Sequence, residues 1–97
     1  MRFVVIFEDT PAMVAVRCEH EPAHIAFLRQ HADEILIGGG LREMPGGVYA
    51  GGLWVFEVAS RERAVELIEA DPYFAAERRP YRLLVWGKAT PERQAVL

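Results

Sequence analysis

Four stretches of the chain are too densely apolar to lie in water, and between them apolar positions recur at helical spacing. Phe3-Val4-Val5-Ile6-Phe7 is β-branched and aromatic and ends at Glu8-Asp9-Thr10-Pro11, so it reads as a strand followed by a loop. Both of its faces are apolar, which places it centrally in a sheet with a cover on each side. A helix is expected to start near Pro22, a good first-turn residue, and to run through Ala23–Glu34 with Ile25, Leu28 and Ala32 on one stripe. His24, Phe27 and His31 form an adjoining stripe, which puts the His24 ring at the edge of the buried face. Ile35-Leu36-Ile37 resumes a strand pattern and runs into Gly38-Gly39-Gly40-Leu41. Three consecutive glycines are costly in a strand, and they suggest a bulge or a close approach of another backbone or a ligand. Met44–Gly52, with glycine pairs near both ends, reads as a mobile hairpin loop.

Leu53–Val58 is the third strand and Tyr81–Trp86 the last. Between them Ser60 is an N-cap, Glu62 suits the first turn, and Ala64, Leu67, Ile68 and Asp71 mark the inward stripe of a second helix. The order β-α-β-β-α-β is the α+β, ferredoxin-like arrangement, with two helices on one face of a four-stranded antiparallel sheet. The other face, carrying Val4/Ile6, Trp54/Phe56/Val58 and Leu84/Trp86 or their partners one residue along, has no intrachain cover. Face-to-face packing of two copies, an isologous homodimer, would bury it.

The stretch Ile68–Ala76 carries the most chemistry. Asp71 shares a helical stripe with two aliphatic residues, so its carboxylate points inward, and Pro72 fixes it at a break in the chain. Tyr73 and Phe74 add two aromatic rings beside it. A carboxylate held there is a candidate for a specific partner, although Asp before Pro is also a common helix stop. His24 lies on the inward edge of the other helix, packed on the same face of the sheet. A hydrogen bond between them would fix the imidazole tautomer and leave the second ring nitrogen as a general base. The same contact would also serve a purely structural bond.

Composition narrows the partners. The 97 residues suggest a single domain over 1–97, with 89–97 as a C-terminal tail, and 52% hydrophobic content again favours a buried self-interface. Eleven basic and fourteen acidic residues give a net charge of −3, which argues against nucleic acid and anionic membrane as partners. Cys18 is the only cysteine and reads as a surface thiol; with no apolar run near membrane length and no signal-like start, a cytoplasmic location is expected. His20, His24 and His31 invite a metal, but His24 and His31 would be about 10 Å apart along the axis and Pro22 puts His20 ahead of the helix. No phosphate loop or dinucleotide fingerprint is present, so neither a metal nor an organic cofactor is expected. Arg78, Arg79 and Arg82 could meet an anionic substrate, although a solvated edge is their ordinary reading.

Pro22-Ala23-His24-x-x-x-Leu28, glycines at 39 and 40, and Ala70-Asp71-Pro72-Tyr73, in this order over this length, resemble the YCII-related (YciI-like) proteins. The resemblance implies the dimeric α/β barrel superfamily, with a pocket between sheet and helices and His24 and Asp71 as an active-site pair. Tyr73, Phe74, Gly39 and Gly40 would then border a small organic substrate. Two positions depart from the family pattern: Glu21 stands where an arginine is usual, and Gly40-Leu41 replaces Gly-Pro. Arg17 and Arg42 are the candidates for the missing cation. Two functions follow. One is a cofactor-independent enzyme moving a proton on a small molecule, as an isomerase, lyase or dehydrohalogenase does. The other is a non-catalytic ligand-binding or dimerisation module in which the pair is structural.

Overall fold

A computed structural model describes all 97 residues. The elements are β1 (Arg2–Glu8), α1 (Met13–Gln30), β2 (Ile35–Arg42), β3 (Tyr49–Glu57), α2 (Arg61–Ala70), α3 (Pro72–Ala76) and β4 (Tyr81–Val85). The strands form one antiparallel sheet in the order β2-β3-β1-β4, and the fold is the expected ferredoxin-like α+β arrangement with a short third helix added. Strand alternation sets the core. Phe3, Val5 and Phe7 of β1 point towards the helices, and the register Phe3↔Phe56 and Val5↔Trp54 puts Phe56 and Trp54 on the same side. Leu67 and Ile68 of α2 and Phe74 of α3 close this core from above.

That register decides which face lacks a cover. Trp54, Phe56 and Val58 are buried under the helices, so the open face takes β3's other set, Leu53 and Val55, opposite Ile6 and Val4. With Leu36, Ile37, Leu84 and Trp86 this makes an apolar surface, bordered on one side by residues 88–97, which form neither helix nor strand.

The helices differ from the sequence reading at their ends. α1 begins at Met13, nine residues before Pro22, and stops at Gln30. A proline inside a helix removes one backbone hydrogen bond and crowds the preceding turn. Here Pro22 and Cys18 are both exposed, so the freed carbonyl of Cys18 faces water, while Met13 and His24 anchor the helix on its other side. His20 is thus within the helix, and Ala32 lies beyond it. α2 starts on the Ser60 hydroxyl, which accepts from the Arg63 amide at 3.1 Å, and ends before Asp71, whose φ of −62° and ψ of 129° are extended. Pro72 then opens α3 at its first turn, where a missing N–H costs nothing. The predicted hairpin loop is shorter than Met44–Gly52: β3 begins at Tyr49, and Gly51 and Gly52 pair with Glu8 and Phe7. Gly46, at φ 78°, makes the turn. No helix is long and apolar enough to cross a membrane.

Candidate active site

Arg17, Glu21, His24, Ile25 and Leu28 fall at helical positions i, i+4, i+7, i+8 and i+11 of α1, one continuous stripe. This stripe passes over Gly38-Gly39-Gly40 of β2. Because the glycines send up no side chains, a cavity of about 220 Å³ remains between helix and sheet. Trp54, Tyr49, Tyr73 and Arg79 complete its wall. The emptiness is held open from the side: a Cβ on Gly38 would stand 2.8 Å from the Trp54 ring, and one on Gly40 would stand 2.3 Å from the Tyr49 ring.

His24 Nδ1 lies 2.6 Å from Asp71 Oδ1. Asp71 is fully buried and His24 is 8% exposed. The break between α2 and α3 supplies this geometry, since an extended Asp71 turns its carboxylate sideways towards α1 instead of capping either helix. With a carboxylate as acceptor, Nδ1 carries the proton and donates, and in the neutral tautomer so fixed Nε2 is the ring's free acceptor. The Tyr73 ring stacks on the imidazole, with centroids 3.8 Å apart and planes within 10°, so the ring is clamped in direction as well as in tautomer. Burial pushes the Tyr73 hydroxyl pKa up, keeping it neutral.

A second polar cluster lies two turns away along α1. Asp9, in the loop after β1, accepts Arg17 Nε at 2.8 Å on one oxygen, and Arg17 Nη2 at 3.1 Å and Arg79 Nη1 at 2.6 Å on the other. Arg17 Nη2 also donates to the Gly51 carbonyl at 3.0 Å. Burial alone would raise the Asp9 pKa, but the hydrogen bonds and charges of Arg17 and Arg79 outweigh it and hold the carboxyl below its usual value. Burial lowers Arg79 from its ordinary value against the opposing pull of Asp9.

Of the residues singled out from sequence, His24, Tyr73, Gly39 and Gly40 line the cavity, and Asp71 reaches it through His24. Phe74 does not: it faces the other way into the core, edge-on to Tyr81 at 5.7 Å. Adjacent helical residues diverge by about 100°, so Tyr73 and Phe74 cannot share a wall. Arg42 lies outside the lining, with its guanidinium 4.9 Å from the Tyr49 ring centroid. Arg79 is no solvated edge; it is 2% exposed, with its guanidinium 4.3 Å from the Phe7 ring centroid. The sequence reading had Asp9 only in the loop after the first strand and Trp54 only as a strand residue of the uncovered face or its neighbour, not at the site. The signal for Asp9 was present, an acid beside a turn following a buried strand, but its partner Arg79 is 70 residues away. No three His, Cys, Asp or Glu side chains converge as a metal site would require.

The family model of the YCII-related domain matches residues 1–86. No curated protein matches the sequence. Among solved structures, the chain is similar to 5-chloro-2-hydroxyhydroquinone dehydrochlorinase from Burkholderia phenoliruptrix, solved in complex with 2,5-dihydroxybenzoquinone. The TM-score is 0.79 and the identity 24%, over 90% of this chain and 94% of that one.

Proposed function

The chain belongs to the YCII-related family, and from that premise we propose that it is a small-molecule enzyme in which His24 acts as general base and Asp71 orients it. The observation that carries this reading is the 2.6 Å bond between His24 Nδ1 and Asp71 Oδ1 at the wall of a cavity. His24 Nε2 takes a proton from a substrate carbon or hydroxyl, and the electron pair left behind forms a C=C or C=O bond. In an isomerisation the proton returns at a second carbon. In a dehydrohalogenation the halide leaves with its bonding pair, and Nε2 passes the proton to water. Asp71 stabilises the transient imidazolium and prevents the ring from flipping to the unproductive tautomer.

The similar solved structure supports this class, because that protein is a dehydrochlorinase holding a small quinone. The experiment is a screen of small carbon acids and halogenated hydroquinones in deuterated buffer, followed by NMR for deuterium uptake and by halide release. Turnover should fall steeply in His24→Ala and in Asp71→Asn. Undiminished turnover in a folded His24→Ala variant would refute the assignment. A second reading, a ligand-binding module with a structural pair, draws on Glu21, which lines the cavity where the family pattern has an arginine. Under that reading both variants lose stability and no compound turns over.

The exposed sheet face supports self-association. Ile6, Leu36, Ile37, Leu84 and Trp86 are each more than a third exposed, and a second copy packed on them would complete a dimeric barrel.

A further inference from the structure

We infer that the Tyr73 hydroxyl is a second catalytic group, a neutral donor to the substrate oxygen that gains charge as His24 removes a proton from the neighbouring carbon. This rests on the reading of His24 as general base. Tyr73 is 2% exposed and borders the cavity. Its ring already has a task, stacked on the imidazole with centroids 3.8 Å apart. A phenylalanine ring would stack equally well, and the next residue, Phe74, packs such a plain ring into the core. The hydroxyl is left over. No protein group bonds it, and unlike the sealed, unpaired side-chain atoms of Arg2, Thr10, Asp71 and Arg79 it keeps a surface open. The cavity is the open space that this residue borders.

The stack also bounds the distance between the two groups. A tyrosine oxygen lies about 3 Å from its ring centre and an imidazole nitrogen about 1 Å from its own, so this stack holds the hydroxyl within about 8 Å of His24 Nε2. In a carbonyl compound the oxygen is about 2.4 Å from the carbon beside the carbonyl. With contacts of about 3 Å at each end, one such unit spans about 8 Å, which both groups can therefore share. When the C–H bond breaks, its electron pair forms the C=C bond and the carbonyl π pair moves onto oxygen, where Tyr73 Oη–H donates. That pair returns to C=O when a carbon is reprotonated or when a halide leaves. Burial pushes the Tyr73 pKa up against the pull of Arg17, so the hydroxyl still holds its proton when the charge appears. The substrates so assigned are carbon acids with an oxygen on the adjacent carbon.

The test is deuterium exchange, followed by NMR, into phenylacetone, cyclohexanone and acetone, three ketones of decreasing carbon acidity. Tyr73→Phe keeps the ring on His24 and removes a group that bonds nothing in the protein, so the melting midpoint and the His24 15N signals should stay those of wild type. Its kcat on acetone should fall about 100-fold, with KM little changed. The fall on phenylacetone should be smaller, because its enolate is already delocalised into the ring. An equal fall on all three ketones, or one accompanied by altered His24 signals, would make Tyr73 a structural residue and overturn the donor. Exchange that disappears in His24→Ala but stays within about threefold of wild type in Tyr73→Phe would overturn the donor and leave the base standing. Wild-type protein that exchanges none of the three would overturn both for carbonyl substrates.

Discussion

Asp9→Asn exchanges one carboxylate oxygen for an NH2 group and should cost about as much stability as a core truncation. In the native protein the Asp9 side chain is 7% exposed and faces two guanidiniums, of which Arg79 is 2% and Arg17 15% exposed. The amide keeps one acceptor oxygen, which can still meet one nitrogen of each arginine as Oδ1 does now, but it removes the negative charge between two guanidiniums and turns an NH2 donor towards Arg17 Nε. Removing one partner of a buried ion pair costs about 3–5 kcal/mol, and the residual solvent around Arg17 places the expected loss near ~3 kcal/mol. A chain of this length has a total stability of about 5–15 kcal/mol, so the midpoint of thermal unfolding should fall by roughly 12 °C or more. Urea melts should show a lower midpoint at unchanged slope. Acid supplies an independent reading. The Asp9 pKa is depressed on folding, so its contribution is complete above the ordinary carboxylate range and is lost as the pH falls through the lower, folded-state value. Wild-type stability should therefore decline through that acid window more steeply than that of the variant. A variant within about 0.5 kcal/mol of wild type and with the same acid slope would show that the cluster is worth no more than an exposed pair.

Gly51→Ala should cost about 1–3 kcal/mol, because its Cβ would stand within 1.9 Å of the Phe7 carbonyl oxygen and force β3 away from β1; urea melts measure it, and a neutral result would mean that the strands shift freely. Phe74→Ala should lose about 3–5 kcal/mol in urea melts, since the ring belongs to the core and not to the cavity. Asp71→Asn should also lower the melting midpoint, by about 1–3 kcal/mol of unpaired buried amide, whether or not turnover is found. Light scattering at micromolar concentration should give twice the 11.0 kDa chain mass; a monomer would leave the open sheet face without its proposed cover.

The sequence discloses most of what local periodicity encodes. His24 could be found because it sits on a helical stripe whose inward side is set by its neighbours within one turn, and Asp71 because it directly follows such a stripe, Ala64, Leu67 and Ile68. The strands could be found from their apolar runs, but not which face of β3 is inward. Leu53–Val58 is apolar on both faces, and only the pairing Val5↔Trp54 assigns Trp54 to the helix side. Arg79 was illegible for a related reason. Between two other arginines it reads as surface charge, and only the tertiary fold brings Asp9 to it across 70 residues of sequence. The start of α1 was lost to Pro22, whose ordinary role as a helix opener concealed a proline tolerated on an exposed face.

The glycine strip under α1 makes the volume of the cavity a joint property of two strands. Gly38 is kept small by Trp54, and Gly40 by Tyr49. Enlarging either glycine alone is blocked by a ring, and shrinking either ring alone leaves a void. The substitutions that remould this space without cost are therefore exchanges in pairs, a side chain moving from β3 to β2 as if handed across the ladder. Relatives that accept differently shaped molecules should differ at 38 together with 54, or at 40 together with 49, and seldom at one member of a pair.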